Sequence, residues 1–315
     1  MAISKNNRGY GVGRYGIELQ HTMAGWVSSV EGGNATADVV TQKIGSDPLY
    51  KKSLGPLKYE EISFKCGAGM STQLMEWIKT GFNQTSNTRG REDGAVIFAD
   101  YDFNEITRLN WTQGLITEFG MPALDAAAKD AAFMSIKFQP ETTRKVMGGG
   151  GKVTFPADAS KQKQWMPSNF RLRIDGCETG CRWVNKIEAL TIKQKNAENA
   201  VGELRDYERV PTSVEHPNLV ITLSESHAEE FFRWHEDFVV KGQNDETKEK
   251  GGTLEYLNSS LTDTMFTLNF FHLGIFKISP DKVEAGAEPI RRVKVEMYCE
   301  DIQFNYNMKY AFGGR

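Results

Sequence analysis

The chain says nearly the same thing twice. "GWVSSVEG" (25–32) has a counterpart in "CRWVNKIEAL" (181–190). Trp26-Val27-x-x-Val30-Glu31 becomes Trp183-Val184-x-x-Ile187-Glu188, a shift of 157 in a chain of 315 residues. A true duplication keeps its register at other landmarks. Leu57, Ile62, Phe64 and Cys66 fall on Val214, Leu219, Ile221 and Leu223, and Leu74 and Trp77 fall on Phe231 and Trp234. Further on the shift is 159: "LNW" (109–111) meets "LNF" (268–270), and Met134, Ile136 and Phe138 meet Val293, Val295 and Met297. Apolar positions agree while polar ones differ, as a duplicated core requires, because packing constrains the interior more than the surface.

The chain therefore reads as two domains, 1–147 (with a polar tail over 1–13) and 169–315. The stretch between, 148–168, is glycine-rich first and polar afterwards and reads as a linker. Each half is long enough to bury a core of its own. With 39% hydrophobic and 25% charged residues the composition is that of a soluble globular chain, and a net charge of −3 argues against a nucleic-acid surface. Four cysteines are too few for a disulfide scaffold. No apolar leader follows the start, and no run approaches the ~18 apolar residues of a membrane helix. The expectation is a chain folded in a reducing cytoplasm, with no membrane partner.

Within one unit, period-two alternation predicts strands at "YGIEL" (15–19) and "FRLRI" (170–174), at "YEEISFK" and "LVITLS", and again around Asn110 and Asn269 and over 131–139 and 290–305. Trp26-Val27 and Trp183-Val184 are expected to begin the strand after the first. One helix per unit interrupts the pattern. "STQLMEWIKTGF" starts at Ser71, a good N-cap, and puts Leu74, Trp77 and Ile78 on one face. "SHAEEFFRWHEDFVVKG" starts at Ser226 with Glu229 completing a capping box, buries Phe231, Trp234 and Phe238, and ends at Gly242. Trp26, Trp77, Trp183 and Trp234 are the expected aromatic core. Each unit is then mainly β, a barrel or closed sandwich with one packed α-helix. Long polar segments, 34–57 and 196–217, have little apolar content to pack at home and read as functional or intermolecular arms.

No motif in the chain points to catalysis. "GVGRYG" (11–16) matches Gly-x-Gly-x-x-Gly, but a strand follows where the phosphate-binding motif needs a helix. Cys177 and Cys181 lack the two-residue spacer and the second cluster of a metal site, and read as structural thiols. The five histidines, His21, His216, His227, His235 and His272, are scattered. Asp100 and Asp102 read as a solvated turn. No cofactor, metal or catalytic residue is expected.

At "KKSLGPLKYEEISFKCGAGMSTQLMEWI" (51–78) the chain resembles the tail-tube proteins of contractile phages and related injection systems. That family carries a basic, Pro-Gly-containing stretch, a Tyr, an alternating strand ending in a basic residue and Gly, and then a helix with a central Trp. Lys51, Lys52, Gly55, Pro56, Tyr59, Ile62, Phe64, Lys65, Gly67 and Trp77 fill those places. The order Gly55-Pro56 is inverted relative to the family, and the second half has "RVPTSVEHP" instead. The resemblance covers about 15–145, and reaches 169–306 through the internal repeat. It implies tube-like barrels that join edge to edge into rings around a conduit. It makes Asp38, Lys43, Tyr50, Lys51, Lys52, Gly55 and Pro56 the arm that reaches a neighbouring ring, with Glu203, Arg205, Tyr207 and Arg209 as the second arm. It further implies self-assembly, a trimer being favoured over a hexamer because two domains per chain give six positions from three chains. Other expected partners are adjacent tube rings, sheath, cap or baseplate hub and spike proteins, and DNA or effector cargo. The component would be assembled in the bacterial cytoplasm into a tail or a released particle. The alternative reading from the residues alone is a two-domain β-sandwich carbohydrate-binding module or enzyme.

Overall fold

The computed structural model describes residues 13–43, 45, 49–82, 90–154, 165–199, 208–281 and 290–312. In the first half, β1 (Arg14–Leu19) and β2 (Thr22–Val27) form a hairpin, followed by β3 (Ser29–Gly32). Gln20 and His21 turn that hairpin with φ of 45° and 64°, the left-handed pair that a two-residue loop matched to strand twist demands. Next come β4 (Ala35–Gln42), β5 (Lys51–Tyr59), β6 (Ile62–Cys66), α1 (Thr72–Gly81), β7 (Glu92–Ala99) and β8 (Glu105–Met121). β9 (Leu124–Asp125), β10 (Met134–Gln139) and β11 (Thr142–Met147) complete the half.

The second half comprises β12 (Phe170–Ile174), a short helix α2 (Glu178–Cys181), β13 (Val184–Ile187), β14 (Leu190–Asn199), β15 (Glu208–Glu215) and β16 (Leu219–Ser224). α3 (Glu229–His235), β17 (Lys250–Leu257), β18 (Thr264–Pro280) and β19 (Arg292–Tyr306) follow.

The two sheets share one strand order. The first runs β1-β7-β8-β10-β6-β3 and the second β12-β17-β18-β19-β16-β13, with all pairs antiparallel. The likeness extends to defects. β8 and β18 are both 17 residues long, and their ends are offset by the same 159 positions. Each skips one residue in its pairing, Thr117 in β8 and Phe276 in β18. Each also carries a left-handed non-glycine residue at matching positions, Gln113 (φ 49°) and His272 (φ 55°). Such bulges bend a strand sharply, which lets one long strand serve both sides of a curled sheet. A carboxylate holds each: Asp93 Oδ1 accepts from the Gln113 N–H at 2.6 Å, and Glu249 lies 2.8 Å from His272 Nδ1.

α1 closes the first half as its sequence requires. Ser71 Oγ accepts the Leu74 N–H at 3.2 Å, and Leu74, Trp77 and Ile78 are buried. Trp77 stacks parallel to Trp111 (6.5 Å between centroids) and meets Phe138 edge-on (5.2 Å). In the second half Phe231, Trp234 and Phe238 are buried as expected, but the helix is broken into three pieces. A 3₁₀ turn at Glu225–His227 precedes α3, and a π turn at Glu236–Val240 follows it. The capping box does not form: Ser226 Oγ is engaged with Ser224 Oγ at 2.9 Å, and α3 starts after Ala228 with no side-chain cap.

Three further expectations are corrected. Trp26 lies one residue from the end of β2 rather than opening a strand, and is half-buried against Phe103. Trp183 is not core at all: it is 53% exposed, stacked on His227 at 4.0 Å. The second half has α2 where the first has β2. There Gly180 comes so close to α3 that a Cβ would lie 2.8 Å from the Phe231 ring, a tuck that an extended strand would not make. The segment between the halves is not loose where it is described. Glu105 N–H bonds Gly151 O, Val153 N–H bonds Phe103 O, and Trp165 is buried against Tyr256 and Phe266.

Candidate assembly interface

The halves are joined by exchanged strands. β14, from the second half, adds to β8 of the first in the register Leu190↔Met121, Thr191↔Gly120, Ile192↔Phe119 and Lys193↔Glu118. β9, from the first half, adds to β13 of the second. Around this junction α1 packs against β19, Thr72 N–H bonds Phe312 O at 2.9 Å, Tyr306 donates to Glu76 at 2.9 Å, and Phe119 meets Phe304 edge-on at 5.1 Å. Buried residues of both halves form one contiguous cluster. Strand addition of this kind satisfies a row of backbone groups that would otherwise be an exposed edge.

The second arm is built on that junction. β14 pairs with β15, and Arg91 of the first half bonds both Glu141 and the Arg209 carbonyl. Arg209 also pairs with Glu198 at 3.0 Å. Glu203, Arg205 and Tyr207 lie outside the described residues. The first arm differs. The segment read as a polar connection is a hairpin, β4–β5, standing as a sheet of its own. Asp38 pairs with Lys58 at 2.6 Å across it, and at Gly55 a Cβ would come within 3.3 Å of the Asp38 carbonyl. Lys43, Lys51, Lys52 and Pro56 are exposed, as are Val39 (60%), Leu49 (70%), Tyr50 (60%) and Leu54 (75%). Exposed apolar side chains in this number make the hairpin a candidate for an intermolecular contact. The sequence reading took Asp38, Lys43, Tyr50, Lys51, Lys52, Gly55 and Pro56 as the arm and did not include Val39, Leu49 and Leu54, which are exposed on the same segment. Apolar residues without a home core were the available signal.

Several polar groups elsewhere are held by bonds within the chain. Asp100 accepts from the N–H groups of Asp102 and Asn104 and from the Asn104 side chain, and the Asn104 side chain does most to hold its carboxyl below the usual range. In a cleft beside α3, the Lys250 ammonium bonds the Asp175 carbonyl and lies 5.2 Å over the Trp234 ring. Glu230 there accepts the Gly180 N–H, and Glu249 is held by Tyr298 and His272. Cys177 and Cys181 are free and buried, and desolvation pushes both thiols up to about 12, so neither is poised as a nucleophile. Among the described residues no helix is long and apolar enough to cross a membrane.

Comparison with known proteins adds a family. Residues 13–144 match the model of the T4-like virus tail tube protein gp19. No curated protein matches the chain. Among solved structures, it is similar to a chain of the sheath–tube complex of an extracellular contractile injection system, PVC, in the extended state, with 16% identity over 46% of this chain and 99% of that one, TM-score 0.40. It is also similar to a chain of the tube-terminating cap of the anti-feeding prophage, with 17% identity over 47% and 100%, TM-score 0.39. Hcp1 from Flavobacterium johnsoniae follows, with 17% identity over 45% and 99%, TM-score 0.25. Residues 13–144 are thus similar to the tail-tube proteins of contractile systems.

Proposed function

We propose that this chain is a non-enzymatic ring subunit of the inner tube of a phage tail or contractile injection system. Three copies would place six tube-like halves around a channel that conducts DNA or effector cargo. The observation that supports this reading is the strand addition of β14 to β8: two similar units are already joined edge to edge within one chain. Repeating that joint generates a ring that is threefold by chain and nearly sixfold by fold. On this reading the chain divides into units 1–147 and 169–315 with the connection 148–168. The β4–β5 hairpin, with Asp38, Lys43, Tyr50, Lys51, Lys52, Gly55 and Pro56, reaches the adjacent ring, and the second arm with Arg209 does the same.

A ring of this symmetry suits a terminal or adaptor position, because one face can meet sixfold tube and the other a threefold cap, hub or spike. Sheath is a further neighbour. The ring is assembled in the bacterial cytoplasm and travels with its particle. Electron-microscopy averaging of the purified full chain tests this: the expected image is a ring of six lobes around a hole with true threefold symmetry. Isolated two-lobed molecules at every concentration would refute it.

A further inference from the structure

The second half bears an edge and a helix face whose counterparts in the first half are already covered. In β8 the positions 118–121 are bonded to β14. Their counterparts in β18, 277–280, are bonded to β19 on one side, while β17 stops at Leu273 on the other. Among the described residues that edge has no strand. The helices differ in the same way. Met75 of α1 is fully buried in the half that packs against β19, whereas Phe232, its counterpart in α3, is 42% exposed. The strand that should cover this edge exists as well: β4 matches β14, is paired only with β5, and begins with exposed Ala35 and Thr36 just after exposed Asn34.

We propose that β4 of one copy adds antiparallel to the open edge of β18 of the next. The register carried over from the internal junction pairs Asn34 with Ser279, Ala35 with Ile278, and Thr36 with Lys277. This rests on the ring reading and names its seam, which the base of β4 makes while the tip of the hairpin is left for the adjacent ring. The contact is head-to-tail, with different surfaces meeting, so it propagates until it closes.

Charge says why the occupant is the first-half arm and not another copy's second-half arm. At the internal junction Lys193 stands opposite Glu118, 3.9 Å apart, and Glu118 also faces Lys137. In the second half the signs of that cross-strand pair are exchanged, with Lys277 bonded to Glu296 at 2.7 Å. Lys193 placed on the β18 edge would lie against Lys277, a like-charge pair directly opposite. Thr36 in its place is neutral. The two arms are thereby kept from exchanging edges.

Disulfide trapping in the full chain tests the register. All four native cysteines are buried and give little background. The double variant Thr36→Cys, Lys277→Cys should oxidise to reducible covalent dimers and trimers. Glu118→Cys with Lys193→Cys, the same positions at the internal junction, should close within the chain and leave its mass unchanged. Thr36→Cys with Ser279→Cys places the sulfurs on a diagonal, too far for disulfide geometry, and should crosslink about tenfold more slowly or less. Equal crosslinking by the diagonal pair overturns the register. Absence of crosslinks in a sample whose native mass is three chains overturns the seam but leaves the ring standing. A monomer without crosslinks overturns both.

Discussion

The two halves share a strand order, a bulge and a bend, yet they face opposite situations. The first half has its β8 edge and its helix covered from within the chain; the second shows the same edge and helix face to water. Met75 at 0% and Phe232 at 42% exposure are the same position under those two conditions. A shared topology thus leaves this position buried in one half and exposed in the other. A duplicated fold can therefore carry one finished joint and one waiting joint in a single chain.

Substitutions in the two halves break or sharpen this comparison. The largest effect is expected at the aromatic positions. Trp77→Ala should cost about 3–5 kcal/mol in denaturant unfolding, because Trp77 fills the space between α1, Trp111 and Phe138. Trp183→Ala, removing an exposed ring, should cost no more than about 1 kcal/mol. Equal costs would mean that Trp183, despite its exposure, is as much a part of the packing as Trp77.

Met75→Ala comes next, at about 2–5 kcal/mol, since it opens a cavity at a fully buried position of α1. Phe232→Ser should leave the fold within about 0.5 kcal/mol of the parent and lower the yield of assembled rings instead. Size-exclusion chromatography beside a melt separates those outcomes. Loss of folding on Phe232→Ser would show that α3 has no waiting face.

The caps give a smaller contrast. Ser71→Ala should cost about 1 kcal/mol because Ser71 Oγ accepts the Leu74 N–H. Ser226→Ala should be near neutral, because Ser226 caps nothing. The unfolding midpoints of both variants check this.

The smallest effect expected is pH dependence from His216. Its side chain is buried, neither ring nitrogen has a hydrogen-bond partner, and desolvation lowers its pKa while Asp301, 3.7 Å away, opposes the shift only partly. A base whose folded pKa is depressed binds protons more readily when unfolded. Stability is therefore present above the ordinary histidine range and falls as pH drops through it toward the folded value. The melting temperature should fall between about pH 7.5 and pH 5.5 by more in the parent than in His216→Gln.

Much of this was legible in the sequence because it is local or periodic. The 157 and 159 offsets, the strands, the Ser71 cap and the buried stripes of both helices follow from side-chain spacing. What was not legible depends on neighbours. Gly180 packs under Phe231 in a short helix where the first half has β2, and Trp183, identical in pattern to Trp26, ends up on the surface. The arms were seen as polar segments and not as hairpins, because a strand buried on neither face shows no alternation. The junction itself was hidden, since pairing of β14 with β8 joins residues about seventy apart that no local pattern connects.

The central claim is that three copies of a doubled tube fold close a ring. Native mass spectrometry of the purified chain tests it most directly. The account predicts a dominant species at three times the 35.4 kDa chain mass. A dominant species of six chains, or a monomer that persists at every concentration, would contradict it.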